Sequence, residues 1–426
     1  MLAAKTRFVE LGAPFNRLWG ATLTSHVADG VLATAAPLLA AGLTQDPVLI
    51  SGLAATVMLP WLLFGIPIGG LIDRLDRRLT LAIAGSIRLV TAAALSWSVV
   101  DGSMTIWWLY VAAMIIGTTE VFSDTATQSL MPQVLAKDHI ERGNSRMSVA
   151  NTVLQSFVGA PLGGALYAVA IWLPFAFNSA AYLVSAALLL LVPATIRNAY
   201  RRPAGDATKE RSGFVADIKV GLKFLVGHKT IWRLVLITTT IGFAFAASTS
   251  TMVLFLLKVQ HVPEALFGVL FAVQGITGVF GGLQAPYWSA KFGRSGVLAA
   301  SILGSILCTF LTGFSAEIFS FLVLGMINNY LISIWNVLLM STYHELIPNE
   351  LFGRVHGARR TLVWGMMPIG SLVGGWIATF DLRAPFWVLG GFGVVFAVFS
   401  MRFLSRLDSA SGTSTGENAA AAATKA

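Results

Sequence analysis

Long apolar runs recur along the whole chain, and each is close to the length that a helix needs to cross a bilayer. A spanning helix takes about 20 consecutive apolar residues. Of the 426 residues here, 56% are hydrophobic and only 12% are charged, and the mean hydropathy is +0.74. This composition excludes an ordinary soluble domain and predicts an all-α membrane protein with twelve transmembrane helices. The predicted spans are residues 16–43, 49–72, 79–100, 105–130, 143–170, 171–194, 231–257, 265–288, 295–314, 317–343, 354–380 and 384–404.

The basic residues indicate which helix ends face the cytoplasm. With the N-terminus inside, 26 of the 29 Lys and Arg lie in cytoplasmic segments or at cytoplasmic helix ends, and the exceptions are Arg88, Lys258 and Arg383. Because cytoplasmic loops carry such an excess, both termini are predicted to be cytoplasmic. The formal net charge of +9 is therefore interpreted as a topology signal and an attraction to anionic lipid headgroups, and not as a nucleic-acid-binding surface.

The two halves of the chain echo each other. Gly163-Gly164 in helix 5 has a counterpart in Gly374-Gly375 in helix 11. Two six-helix repeats joined by a long cytoplasmic loop are typical of parallel repeats in membrane proteins. The predicted division is an N-terminal six-helix bundle at 1–194, a cytoplasmic linker with an interfacial helix at 195–230, a C-terminal six-helix bundle at 231–404 and a disordered cytoplasmic tail at 405–426.

A charged turn separates helices 2 and 3 in the stretch GIPIGGLIDRLDRR at 65–78. Its residue order resembles the loop between helices 2 and 3 of the major facilitator superfamily, usually G-x-L-x-D-R-x-G-R-R/K. The matching residues are Gly69, Leu71, Asp73, Arg74, Arg77 and Arg78, whereas Asp76 stands where that family usually has Gly. The resemblance implies a conformational latch formed by this loop. In it, Asp73 would lie against the start of helix 11 near Gly353 and Arg354, where a helix N-terminus attracts an anion.

Helix 5 carries a second string that resembles the same superfamily. Gly159, Pro161, Gly163 and Gly164 are similar to the G-P-x-x-G-G ending of the antiporter signature of exporters, with Ala160 in place of its first Gly. Generic close packing of small residues is the alternative interpretation. The resemblance covers residues 16 to 404 and is greatest to bacterial macrolide-efflux and siderophore-efflux members. It implies the major facilitator fold, two six-helix bundles around a central cavity, in the bacterial inner (cytoplasmic) membrane.

Ionisable residues inside predicted spans are candidates for function, because a charge within a bilayer is costly. Asp29 lies about 20 Å along helix 1 at the helical rise, and His26 shares its face. A carboxylate at this depth is a candidate proton carrier, and His26 is a weaker candidate for the same role. The alternative is an Asp that is bonded to a neighbouring helix or to water.

Helix 4 carries two more carboxylates, Glu120 and Asp124, which are four residues apart and therefore lie on the same face. Two carboxylates this close can share one proton. Arg88 is the basic residue predicted inside a span, and it needs a partner. Arg88 is about 14 Å from the cytoplasmic end of helix 3, Glu120 about 15 Å from that of helix 4 and Asp124 about 9 Å. The depths predict an intramembrane Arg88–Glu120 ion pair, with Asp124 as second choice.

The C-terminal half carries amides where the N-terminal half carries carboxylates. It is therefore predicted to supply apolar and amide contacts to a substrate, while any proton site lies in the N-terminal half. The candidate cavity-lining residues, for each of which plain packing is the alternative, are Phe243, Phe245, Met252, Asn328, Asn329, Trp335 and Asn336.

The chain shows no catalytic constellation, no phosphate-binding G-x-x-x-x-G-K-[ST] string and no metal-ligand spacing. The sequence therefore predicts a protein that is not an enzyme and needs no cofactor. The resemblance implies a secondary active exporter of small amphipathic molecules (drug, macrolide or siderophore-like), driven by inward proton flow through alternating access. Its partners would be that substrate, protons and the lipid bilayer. The alternatives are a nutrient importer of the same fold and a non-transporting membrane sensor or lipid-handling protein.

Overall fold

The computed structural model describes residues 12–64, 67–72, 75–135, 139, 142–143, 146–147, 153–191 and 222–407. Within these ranges, eleven helices are long and apolar enough to cross a membrane, and a shorter apolar helix, Val153–Val169, adds to them. Large apolar side chains such as Trp97, Leu283 and Phe399 project outward, as the lipid-facing surface of a membrane protein requires. The predicted all-α architecture of twelve membrane helices in two six-helix bundles is confirmed.

The N-terminal bundle contains six of these helices. They are α1 (Ala13–Leu43), α2 (Pro47–Phe64, followed by the short helix Pro67–Ile72), α3 (Arg77–Val100), α4 (Ile106–Val134), α5 (Val153–Val169) and α6 (Leu173–Leu190). The first seven residues of α5, Val153–Gly159, form a π-helix.

The C-terminal bundle contains the other six. They are α7 (Lys229–Val259), α8 (Glu264–Phe292), α9 (Arg294–Thr312), α10 (Ile318–Leu346), α11 (Asn349–Ala378) and α12 (Phe386–Leu404). Helix α11 begins at Asn349, directly after Pro348, and not at the predicted residue 354. Every residue of α11 therefore lies more than a turn farther along the helix than the sequence suggested.

Asp76 ends the charged turn by capping α3. Its Oδ1 accepts hydrogen bonds from the backbone N–H groups of Arg78 (3.1 Å) and Leu79 (3.3 Å). An aspartate at this position satisfies N–H groups that have no partner inside the helix. The residue that departs from the superfamily pattern thus has a structural role of its own.

The apolar cores differ between the two ends of the molecule. At the end with the α1–α2 turn, here called the α1/α2 end, one cluster joins both halves, with Leu39 and Ile50 from one and Phe255 and Phe386 from the other. At the opposite end, the α2/α3 end, the described residues form one cluster in each half. The described contact between the halves is therefore concentrated at the α1/α2 end.

The glycine pair of α5 brings two helices into backbone contact. A β-carbon placed on Gly163 would lie 2.5 Å from the Val31 carbonyl oxygen of α1, and one on Gly159 2.6 Å from that of Val27. A β-carbon on Gly164 would lie 3.0 Å from the backbone nitrogen of Gly268, on α8 of the other half. Only residues without a side chain permit these approaches.

The equivalent pair on α11 makes the corresponding contacts. A β-carbon on Gly374 would lie 1.9 Å from the Ala247 carbonyl oxygen of α7, and one on Gly375 1.8 Å from the Ser51 hydroxyl of α2. In each pair, the first glycine contacts a helix of its own half and the second contacts a helix of the other half. The glycine pairs that repeat in the sequence therefore make equivalent helix contacts in the two halves.

The predicted linker and tail fall mostly outside the described residues. Within the linker, residues 222–227 are helical, and Leu225 is buried in the core of the C-terminal bundle. The predicted interfacial helix and the division of the chain at 195–230 and 405–426 stay predictions.

Candidate functional site

A cavity of about 570 Å³, here called the central cavity, lies between the two halves. Its wall is mostly apolar and is built from α1 to α5 of the N-terminal half and α7, α8 and α11 of the C-terminal half. The charged residues on this wall are Asp29, Glu120, Asp124 and Arg360. An apolar cavity with a few convergent polar groups is the usual form of a small-molecule site.

Asp29 forms a buried ion pair with Arg88. The Nη1 of Arg88 is 3.5 Å from the Oδ1 of Asp29, and Tyr182 donates a hydrogen bond of 2.9 Å to the same oxygen. Arg88 also donates to Ser25 Oγ (3.0 Å) and Thr119 Oγ1 (3.2 Å). Helix α6, which carries Tyr182, packs against both α1 and α3 and so brings the two charges together. Arg88 is only 2% exposed.

This arrangement corrects the predicted Arg88–Glu120 pair. The predicted depth was right within one residue, because Arg88 bonds Thr119, the neighbour of Glu120. Successive helical residues point about 100° apart, so Thr119 faces Arg88 while Glu120 faces the central cavity. Asp29 is the residue that neutralises Arg88.

His26 lies beside the ion pair. Its Nδ1 is 3.7 Å from the Oδ2 of Asp29. A small cavity of about 40 Å³ adjoins these residues, and Asp29 and Asp124 line both this cavity and the central one. The four predicted proton-coupling candidates, His26, Asp29, Glu120 and Asp124, are thus close together in the N-terminal half.

Glu120 and Asp124 lie one turn apart on α4 and both face the central cavity. In the described part of the chain, neither carboxylate has a hydrogen bond or an ion pair to another residue. They are therefore available to a ligand or a proton, whereas Asp29 is already held by Arg88 and Tyr182.

Arg360 is a site residue that the sequence did not reveal. Its guanidinium lies 4.2 Å from the ring centre of Trp61 on α2 and 4.7 Å from that of Trp364 on its own helix, and the two rings are 5.6 Å apart. All three residues line the central cavity. Placing the start of helix 11 at residue 354 left Arg360 near the membrane surface. Pro348, which favours a helix start directly after it, was the available signal.

A second cavity of about 360 Å³, here called the side cavity, lies within the C-terminal half. Four of the predicted lining residues are on its wall: Phe245, Met252, Asn328 and Asn329. The other three lie elsewhere. Trp335 is 2% exposed in the C-terminal core, Phe243 packs on Gly370 of α11, and Asn336 is on the exposed surface. Trp335 is a core residue because its face of α10 points into the bundle.

The predicted latch is only partly described. Asp73 and Arg74 lie outside the described residues, and so does the side chain of Arg354. Gly69 lies in the short helix after α2, and Arg77 begins α3. Arg78 donates a 3.2 Å hydrogen bond from Nε to the Leu189 carbonyl oxygen at the end of α6, where a cation is stabilised by the helix dipole.

The comparison with known proteins agrees with this architecture. The uncharacterized MFS-type transporter YfiS of Bacillus subtilis is 24% identical over 353 residues, which cover 80% of this chain and 81% of that protein. An uncharacterized MFS-type transporter of Mycobacterium tuberculosis is 25% identical over 337 residues, which cover 71% of this chain and 75% of that one.

Solved structures share the fold. One is a mutant of the nucleoside transporter NupG, with a TM-score of 0.74 at 13% sequence identity. Another is a bacterial homologue of the iron transporter ferroportin, with a TM-score of 0.74 at 14% identity. Each match covers 92% of this chain and 99% of the other chain. The sequence pattern of the Major Facilitator Superfamily matches residues 18–369. The chain therefore belongs to the Major Facilitator Superfamily of membrane transporters.

Proposed function

We propose that this transporter exports small amphipathic molecules, of the drug, macrolide or siderophore type, in exchange for protons. The observation that carries the proposal is the pair Glu120 and Asp124, two carboxylates on the wall of a mostly apolar cavity that have no hydrogen-bond or ion-pair partner among the described residues. The apolar wall suits the apolar part of such a substrate. The carboxylates can hold a proton or meet a polar group of the substrate, but not both together.

The contacts between the halves support alternating access. With both termini in the cytoplasm, the α1/α2 end is the outer side, where one core joins the halves. The cytoplasmic side has separate cores in the described residues. Rocking of the bundles would separate the shared core and bring the other side together. The structure then corresponds to a state that is closed to the outside.

The ion pair gives Asp29 a different role from the one that its depth suggested. Because Arg88 holds Asp29, we assign proton binding first to Glu120 and Asp124. Asp29 neutralises the buried guanidinium of Arg88 and keeps that group in position beside Glu120 and Asp124. His26, whose Nδ1 is 3.7 Å from Asp29, lines the small cavity together with Asp124 and is assigned as a route for protons between the Asp29–Arg88 pair and Asp124.

We expect Glu120→Gln and Asp124→Asn each to reduce proton-driven transport by at least tenfold, because neither amide can carry a proton. The measurement uses inside-out vesicles that contain the purified protein, with an imposed pH gradient and ethidium, Hoechst dye or erythromycin as substrate. Glu317→Gln and Asp101→Asn, which change exposed carboxyls outside the cavity, are matched controls and should keep full activity.

The same vesicles separate the alternatives. In inside-out vesicles with an acidic lumen, accumulation of the substrate in the lumen supports export. Uptake of the substrate only by right-side-out vesicles would indicate an importer. Proton-driven transport that survives in both the Glu120 and Asp124 variants would refute this assignment of the carriers. A protein that binds the compounds but moves none of them would be a sensor.

Arg360→Ala should shift the conformational equilibrium toward opening at the α2/α3 end. Trp61 and Trp364 each lie 14 residues from the α1/α2 end of their helices, about 21 Å along. Arg360 there connects the halves on the α2/α3 side of the central cavity. A desolvated cation–π contact is worth about 2 kcal/mol, so its loss should change the ratio of states by roughly thirtyfold.

Spin-label distances between Leu75→Cys and Phe292→Cys, in a chain with Cys308→Ser, measure this shift, since both positions are exposed and lie at the α2/α3 end of opposite halves. Arg359→Ala is the matched control. Its guanidinium lies 4.7 Å from the ring of Tyr343 inside the C-terminal half, so the distance distribution should stay as in the unmodified chain. Equal distributions in the two variants would show that Arg360 does not join the halves.

A further inference from the structure

We propose that the side cavity binds an uncharged, hydrogen-bond-accepting arm of the substrate, and that the side-chain amide of Gln274 is the donor to it. The inference rests on the proposed function and specifies its substrate class. The side cavity lies beside the central cavity, and Thr249, Met252 and Phe271 line both. One ligand can therefore extend from one cavity into the other.

The described residues on the wall of the side cavity carry no charge. Its polar residues are amides and hydroxyls, its other residues are mainly phenylalanines, and all twelve described residues lining it are neutral. A charged group that entered would lose its water without gaining a counterion, which is costly. A neutral arm loses far less, so the pocket selects against charge at this end of the ligand.

Most polar groups on this wall already have partners. Asn328 donates from Nδ2 to the Ser305 carbonyl oxygen (2.7 Å) and to Thr309 Oγ1 (2.9 Å). Thr312 donates to the Cys308 carbonyl oxygen (2.9 Å), and Thr249 to that of Phe245 (2.9 Å). The donor hydrogens of these groups are already used within the protein, so the groups shape the cavity but are poor donors to a ligand.

Gln274 is the exception. Its side chain is 6% exposed and lines the side cavity, yet its Nε2 has no hydrogen-bond partner in the described part of the chain. A buried donor without a partner costs free energy. Gln274 lies ten residues along α8, about 15 Å from the helix start and thus near the middle of a bilayer. Polar groups at such depth usually serve function.

The neighbouring amide fixes the orientation of Gln274. Asn329 Nδ2 donates 2.9 Å to the Gly325 carbonyl oxygen, so its nitrogen is identified by that acceptor. The same nitrogen is 3.5 Å from the Oε1 of Gln274. Rotating the Gln274 amide would place two donors against each other. The nitrogen of Gln274 is therefore the free group, and the ligand atom that it can bind is an acceptor such as an ether, carbonyl or hydroxyl oxygen.

Two synthetic probes test this assignment. The first is benzyldimethyloctylammonium, and the second is the same cation with two chain methylenes replaced by ether oxygens. Their cation suits the unpaired carboxylates of the central cavity, and their chains differ only in acceptors. Binding to the purified protein in detergent is measured by tryptophan fluorescence. We expect Gln274→Met to weaken binding of the ether probe about fivefold to tenfold and to change binding of the alkyl probe less than twofold.

The comparison of each probe between proteins cancels its partition into micelles. Gln284→Leu, which removes an exposed amide from the same helix, is the matched control and should leave both affinities unchanged. If Gln274→Met does not elute as folded protein in gel filtration, Gly325→Ala replaces it. A β-carbon there would lie 2.3–2.6 Å from the Gln274 amide and displace it, so the same selective loss is expected.

The outcomes separate the two proposals. If the unmodified protein binds neither probe, the proposed function fails for amphipathic molecules that carry a cation, and the inference fails with it. If both probes bind and the Gln274 variant weakens them equally or not at all, the side cavity does not hold the acceptor arm, while the proposed function stands. Binding of the alkyl probe alone by the unmodified protein would also overturn the inference.

Discussion

Arg88→Ala should lower the free energy of unfolding by about 3–5 kcal/mol, because it leaves the Asp29 carboxylate buried without its counterion. Asp29→Ala should cost a similar amount, since Arg88 would then be the uncompensated charge. The double variant should be milder than the sum of the two, because it removes both charges together. Chemical unfolding in detergent gives the free-energy change of each variant relative to the unmodified protein. The change in the double variant minus the sum of the two single changes is the coupling energy of the pair.

The carboxylate of Glu120 provides the matched comparison. It was the predicted partner of Arg88, but it faces the central cavity, so Arg88→Ala combined with Glu120→Ala should show a clearly smaller coupling than the Asp29 cycle. A larger coupling to Glu120 than to Asp29 would contradict the geometry seen here. Arg88→Lys should keep only part of the stability that Arg88→Ala loses. A lysine carries the charge but cannot bond Ser25, Thr119 and Asp29 from one planar group.

Gly163→Val should remove about 3 kcal/mol or more of stability and abolish most folded protein in the membrane. The smallest added carbon would already lie 2.5 Å from the Val31 carbonyl oxygen and 2.9 Å from its Cα. Neither atom belongs to a flexible side chain, so α1 and α5 have to separate. Fluorescence-detected gel filtration of a tagged protein measures the folded fraction.

Gly296→Val on α9 is the control for this substitution. Apart from the adjoining part of its own helix, no described atom lies within 4 Å of a β-carbon placed on Gly296, so the valine carries its intrinsic cost in a helix without a clash. The folded fraction of this variant should stay close to that of the unmodified chain. Equal losses at the two positions would mean that helix propensity, and not the approach of α1 to α5, explains the effect.

Features that depend on position along one helix could be predicted from the sequence. The twelve spans follow from apolar length, and the glycine pairs follow from local residue order and its repetition in the second half. The depth of Arg88 was also recovered, since Thr119 bonds it and stands next to Glu120 in the chain. Distance along a helix is fixed by the rise per residue and needs no knowledge of neighbours.

Features that depend on how helices are turned and placed against each other could not be predicted. The choice of Asp29 over Glu120 follows from the position of α6 between α1 and α3, and no local pattern encodes it. The contact of Arg360 with Trp61 joins residues about 300 positions apart, in different halves. The free amide of Gln274 becomes visible only when the partner of Asn329 is known.

The glycine pairs put a lasting contact and a temporary contact on adjacent residues. When each half moves as a unit, the approach of Gly163 to Val31 persists, whereas that of Gly164 to Gly268 has to separate. One peptide bond therefore divides a residue that packs within its own bundle from a residue that packs across the boundary between the bundles. Because the arrangement is repeated at Gly374 and Gly375, a substitution at the first residue of either pair strains one bundle, whereas a substitution at the second strains the boundary between the two.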